Sequence, residues 1–229
     1  MLKQGLVLSV LVSGLLSGIV NASSLTDELK QALNTKINLT KGCDSLVVEE
    51  VSYCMDVKGV VTENGNEYYL LRGVPFDNEG DIDTHVATGL MGAIAKKNDK
   101  FGGVAYQPMG SWGKAPAEWR YTYLKGKLVW FAEDVYMNGG VSETYLKMID
   151  ENGKYMFEDV QIGFDDLGRC DSKKCEKNAT AIKGVLMNRG DQIAIQFTGK
   201  KDGKKVNKLQ ELKWNDKSQQ YTKPKDYLL

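Results

Sequence analysis

Apolar residues along this chain recur first at helical spacing, then in short branched runs, and finally in alternation. Leu25, Leu29, Ala32, Leu33 and Ile37 fall on one side of a helix of about 12 residues. Ser24-Leu25-Thr26-Asp27 supplies a hydroxyl N-cap with an acid three residues on. Between residues 45 and 73 the character changes. Leu46-Val47-Val48, Val51, Val60-Val61 and Tyr68-Tyr69-Leu70-Leu71 are rich in the branched and aromatic side chains that suit strands. Asn64-Gly65 separates the last two runs and supplies the positive φ angles of a tight turn, which predicts a β-hairpin.

A second helix is predicted from Asp83 to Lys97, with Asp81 and Asp83 near its start and Val86, Leu90, Ala93 and Ile94 as its stripe. Gly89 and Gly92 weaken it by up to ~1 kcal/mol each relative to Ala, a cost that close packing on a sheet would excuse. Residues 98–118 have no clear period. Glycines and prolines there are interleaved with Phe101, Tyr106 and Trp112, and long irregular segments tend to be functional.

From Trp119 onward the pattern is strand, turn, strand. In Asp191–Thr198, Ile193, Ile195 and Phe197 share one face, while Gln192, Gln196 and Thr198 share the other. Turn signals fall at Lys125-Gly126, Asn138-Gly139-Gly140, Asn152-Gly153, Asn188-Arg189-Gly190 and Asp202-Gly203. The expected fold is therefore α+β: an N-terminal helix, a β-hairpin and a second helix packed on a C-terminal antiparallel meander, curved or partly closed into a barrel. Residues 23–229 are expected to form one domain. The alternative is an α+β lobe over 23–118 and an antiparallel β lobe over 119–229. Sliding the chain by 50 residues pairs Val135, Met137, Asn138 and Gly140 with Val185, Met187, Asn188 and Gly190. This suits either a duplicated unit or two meanders that share turn residues.

The chain start adds a compartment. A lysine at position 3, an apolar stretch from Leu6 to Val20 and small residues up to Ala22 predict a signal peptide over 1–22, cleaved after Ala22. No later segment is apolar and long enough to span a membrane as a helix. Periplasm is the expected compartment, with the extracellular medium as the alternative. Cys43, Cys54, Cys170 and Cys175 then read as two disulfides. Three connectivities are possible; Cys43–Cys54 and Cys170–Cys175 are favoured because each closes a short loop. Their spacing does not match the two-residue gaps of zinc ribbons.

Charge and chemistry narrow the function. Without residues 1–22 the chain carries 29 Lys+Arg against 30 Asp+Glu, a balance that does not suit nucleic-acid binding. The single histidine, His85, lacks an obvious nucleophile: Ser111 sits in a Met-Gly-Ser-Trp-Gly run whose first position departs from the Gly-x-Ser-x-Gly elbow. Asp77, Glu79, Asp81 and Asp83 alternate, but Ile82 and Thr88 stand where an EF-hand loop needs Gly and Glu. Adjacent acids at Glu133-Asp134, Glu158-Asp159 and Asp165-Asp166 would point to opposite faces of a strand, not across a cleft. No metal site or cofactor is expected. Residues 133–166 are acidic and residues 198–229 basic, which reads by default as two faces of one sheet pairing.

The expected function is a non-catalytic envelope protein that binds another protein, as an inhibitor, an immunity factor or an assembly accessory. Phe101, Tyr106, Met109, Trp112 and Trp119 are its candidate anchors, since aromatic and Met side chains concentrate at interface centres. Two alternatives stand beside it. One is a carrier of lipid or another apolar ligand inside a curved sheet. The other is a carboxylate-based hydrolase.

Overall fold

The structure, a computed structural model, describes residues 24–77, 80–82, 87–110, 114–116, 118–157 and 160–229. The proposed signal peptide lies outside them.

The first helix, α1 (Asp27–Leu33), is shorter than expected. Thr26 caps it, its Oγ1 accepting from the Leu29 amide, and Asn34 ends it at φ 54°. Ile37 has already left the helix and lies 68% exposed in β1 (Lys36–Asn38). The chain continues through β2 (Cys43–Val48), β3 (Val51–Glu63) and β4 (Asn66–Phe76). Asn64 and Gly65, at φ 51° and 75°, form the expected hairpin turn between β3 and β4. After β5 (Gly89–Lys97) come β6 (Lys100–Phe101) and β7 (Ala105–Met109), both paired with β5. These seven strands make one antiparallel sheet.

The remaining strands are β8 (Trp119–Leu124), β9 (Lys127–Asn138), β10 (Val141–Asp150), β11 (Val160–Asp165), β12 (Ala181–Arg189), β13 (Gln192–Lys201), β14 (Lys204–Asn215) and β15 (Gln220–Thr222). Each pairs antiparallel with the next, so the predicted meander is present as a second sheet. A 3-10 turn (Leu167–Arg169) and α2 (Lys173–Asn178) interrupt it after β11.

The α+β expectation is therefore overturned. The described chain is mostly strand in two sheets, and its two α-helices span seven and six residues. Nor does the N-terminal helix rest on the meander: Leu25, Leu29 and Leu33 pack with Tyr53, Met55, Leu71, Leu90 and Ile94 of the first sheet. The predicted second helix fails over Gly89–Lys97, which is β5; residues 83–86 lie outside the described ones. The cause is burial on both faces. Leu90 and Ile94 face α1, while Met91, Ala93 and Ala95 face the second sheet. A strand buried on both sides shows no polar alternation and cannot be told from a buried helix by period. Its glycines serve close approach. A Cβ on Gly92 would lie 2.7 Å from the Tyr106 ring, and one on Gly89 would lie 2.3 Å from the Ala115 nitrogen.

Three cores result. One joins α1 to the first sheet. A second lies between the sheets, where Leu70, Met91 and Met109 meet Leu128, Trp130 and Ile149. The third fills the concave side of the second sheet with Phe131, Leu146, Met148, Ile162, Ile195 and Phe197. Curvature brings the β8–β9 turn to the β12–β13 turn: the Lys125 amide donates to Asp191 Oδ1 at 2.6 Å, and Asn188 Nδ2 to Thr122 Oγ1 at 2.7 Å. Tyr227 and Leu228 of the C-terminal segment cover the concave core, with the Tyr227 hydroxyl donating to the Gln161 carbonyl at 2.8 Å.

The faint repeat is out of phase. Gly139-Gly140 turn β9 into β10, whereas Gly190-Asp191 turn β12 into β13, one residue later than a 50-residue slide requires. Phe131 of β9 therefore faces the concave core as an odd position, and Ile182 of β12 does so as an even one. A one-residue slip exchanges the faces of a strand. The shared residues in these hairpins reflect turn grammar rather than shared packing.

Both favoured disulfides form, Cys43–Cys54 with Cα atoms 5.6 Å apart and Cys170–Cys175 with 5.3 Å. The first ties β2 to β3 and the second closes the loop that enters α2.

Candidate functional site

The five proposed anchor residues do not form one patch. Phe101 and Tyr106 pack on the α1 side of the first sheet, Phe101 with its ring 6.1 Å from that of Tyr69. Tyr106 lies opposite Gly92 in the strand register, and burial pushes its phenol well above the usual tyrosine range. Met109, 2% exposed, belongs to the core between the sheets, and Trp119 flanks that core while donating Nε1–H to the Pro116 carbonyl at 2.9 Å. Trp112 lies outside the described residues. The strand alternation of β7 separates Tyr106 from Met109 onto opposite faces.

The carboxylates are mostly committed to backbone amides. Asp134, 5% exposed, accepts from the Gly110 amide at 3.0 Å and the Tyr136 hydroxyl at 2.8 Å. Its neighbour Glu133 is exposed on the other face of β9. Asp165 accepts from the Leu167 amide and Asp166 from the Thr180 amide, both at 2.8 Å. Glu158 and Asp159 lie outside the described residues. Asp150 and Glu151, which no periodic pattern in the sequence singles out, are both buried. Asp150 accepts from the Asn152 and Lys154 amides at 3.0 Å, and Glu151 from the Leu128 amide at 3.4 Å while pairing with Lys97. An acid just before Asn-Gly was the available signal, because Asp holds tight turns through such bonds.

His85 and Ser111 also lie outside the described residues. In the alternating acidic stretch, Asp77 Oδ1 accepts from the Gly80 amide at 3.0 Å; positions 78, 79 and 83 lie outside. Among the described residues, no three His, Cys, Asp or Glu side chains gather as a metal site. No described helix is long and apolar enough to cross a membrane. Among the described residues, Asp150 pairs with Lys127 and Glu151 with Lys97, whereas Lys208 pairs with Asp226 inside the basic stretch 198–229.

One surface feature does emerge. On one face of β9, Val129 and Phe131 lie in the core, the exposed Glu133 then interrupts the apolar stripe, and Val135 and Met137 follow in the same phase. Val135 is 48% and Met137 82% exposed. Met137 borders an open hollow of about 410 Å³ lined also by Gly139, Gly140, Ser142, Asp165 and Gly168. Its floor is tight backbone packing: a Cβ on Gly140 would lie 2.6 Å from the Gly168 carbonyl carbon. The Arg169 guanidinium donates to the Gly139 carbonyl at 3.1 Å and pins the 3-10 turn against the hairpin. Leu167 on that turn is also exposed. In the sequence, Val135 and Met137 look like more core; Glu133 in the same phase is the signal that this face turns to solvent after Phe131.

Compared with known protein families, curated proteins and solved structures, the chain matches none.

Proposed function

We propose that this is an exported, non-catalytic protein of the periplasm that binds another protein of the cell envelope. The observation that carries the reading is the pair of exposed apolar side chains Val135 and Met137, which lie on β9 in phase with Phe131 but beyond the exposed Glu133, with Met137 bordering the hollow. Exposed apolar side chains beside a hollow, edged by polar residues such as Glu133, are the composition of an interface patch. The two disulfides suit an oxidising compartment. The alternatives have less behind them. A filled concave core counts against a lipid carrier, and the backbone-bonded acids count against a carboxylate hydrolase.

Affinity capture from the native envelope, with wild type and Met137→Glu as baits, tests the reading. A partner retained by wild type and by the distant Leu39→Glu control should be lost with Met137→Glu. Identical recovery by all three baits would remove the hollow as the binding face.

A further inference from the structure

Two separate stretches of chain build a cationic end on the molecule. Residues 171–178 contain Lys173, Lys174 and Lys177, and residues 200–205 contain Lys200, Lys201, Lys204 and Lys205; together they hold three acids, Asp171, Glu176 and Asp202. The fold joins them. Lys200 Nζ donates to the Glu176 and Lys177 carbonyls at the C-terminus of α2, at 2.8 and 2.9 Å. The Asp202 amide donates to Thr180 Oγ1, just beyond α2, at 3.3 Å. The Cys170–Cys175 bridge fixes the entry to α2, so the lysines project from a braced base.

The strand register makes the arrangement costly. Lys200 lies directly opposite Lys205, and Lys201 opposite Lys204. Like charges directly opposed across a ladder destabilise it. No carboxylate relieves them: among the described residues, none of these seven lysines stands in an ion pair, and Lys201 donates to the Leu228 carbonyl instead. Glu176 and Asp202 are exposed. Lys200 and Lys201 are turned back onto carbonyls, but no carboxylate neutralises the tip, and the charge left on Lys173, Lys174, Lys177, Lys204 and Lys205 points to a use outside the fold.

Residue type and shape indicate the use. All seven cations are lysines. Lysine is a hydrated point charge on a flexible stem, whereas arginine is favoured for bidentate pairing with defined carboxylates in protein interfaces. The lysines also occupy both faces of a hairpin end and an adjoining helix, so they form a projection and not a groove. Diffuse cationic charge on a projection suits a broad anionic plane. We propose that this end docks reversibly on a bilayer bearing anionic phospholipid headgroups. The proposal goes beyond the partner-binding reading and does not depend on it, because the hollow at Met137 shares none of these residues.

The test is cosedimentation of the disulfide-intact protein with vesicles. One set is phosphatidylcholine alone, and the other contains about a quarter phosphatidylglycerol. Binding is expected only to the second set and should weaken as salt rises. The variant Lys174→Glu/Lys204→Glu/Lys205→Glu should lose on the order of a hundredfold in partitioning, at about fivefold per lysine near the surface. The control Lys36→Glu/Lys114→Glu/Lys154→Glu changes the net charge equally at exposed sites elsewhere and should stay within about twofold of wild type. Equal near-ultraviolet circular dichroism spectra verify folding of both. Equal losses in the two variants, or no binding to the anionic vesicles, would overturn the proposal. Capture by immobilised polyglutamate without vesicle binding would also overturn it and assign the end to an acidic protein.

Discussion

Residues 133–166 and 198–229 carry opposite charge of similar density, nine acids with two lysines against nine lysines with four acids, and the fold spends them differently. In the first stretch Asp134, Asp150, Glu151, Asp165 and Asp166 all accept backbone amide protons. In the second, Lys200 and Lys201 donate to backbone carbonyls, and Lys204 and Lys205 stand exposed. The contrast follows from chemistry. A carboxylate is a short, multiple acceptor that can hold a loop by its amides, in charge-assisted bonds stronger than neutral ones. An ammonium on a long stem offers only donors, so it reaches carbonyls where they lie near and otherwise keeps its head in water. The buried acids here fasten loops through amides, Lys200 and Lys201 reach carbonyls, and Lys204 and Lys205 furnish surface.

The largest effect should come from Asp134, which joins the loop after β7 in the first sheet to β9 in the second. Asp134→Ala removes a buried charged acceptor and strands the Gly110 amide, costing about 3 kcal/mol of stability. Asp134→Asn keeps one acceptor oxygen and should cost roughly half as much. Urea unfolding followed by tryptophan fluorescence measures both. A midpoint unmoved by Asp134→Ala would mean that the acidic stretch does not fasten the sheets.

That division of labour was only partly readable in the chain. Turns were legible because Asn64-Gly65, Lys125-Gly126 and Asp202-Gly203 advertise positive φ, and the structure has it at each. The disulfides were legible because each pair is near in sequence. β5 was not, since packing on both faces erased its alternation, and Gly92, which looked like a tolerated helix fault, makes room for the Tyr106 ring. The aromatic residues of 98–118 looked like anchors because burial depends on what comes to cover them. Phe101 and Tyr106 are covered from the α1 side, while Val135 and Met137 stand exposed beyond Glu133. Pattern reports apolar character; only tertiary structure reports which apolar residues are left over.

A smaller change should sharpen the contrast from the basic side. Lys205→Glu places a carboxylate opposite Lys200, replacing an opposed like-charge pair with an ion pair. Stability should rise by about 0.5 kcal/mol, and less in high salt. Thermal unfolding at two salt concentrations measures the gain. A fall in stability would indicate that the lysines support the fold, and the division between fastening acids and surface lysines would not hold at this hairpin.

The smallest effect concerns the exception within the basic stretch. Asp226 is an exposed carboxylate that accepts from Lys208 Nζ at 2.9 Å. That hydrogen bond, followed by a bond to its own backbone and the lysine's charge, holds its pKa below the usual carboxylate value. A depressed folded-state pKa contributes stability that is present above the unfolded value, about 3.9, and is lost as pH falls through the folded value. Because Gln210 also holds this segment, donating to the Asp226 carbonyl at 2.8 Å and accepting from the Leu228 amide at 2.8 Å, protonation should loosen the tail without releasing it. Amide exchange at Leu228, measured by nuclear magnetic resonance and corrected for intrinsic rates, should quicken below about pH 4 in wild type. It should show no such step in Asp226→Asn. The same step in both proteins would place the titrating group elsewhere and leave Lys208, like its neighbours on the hairpin, without a structural carboxylate.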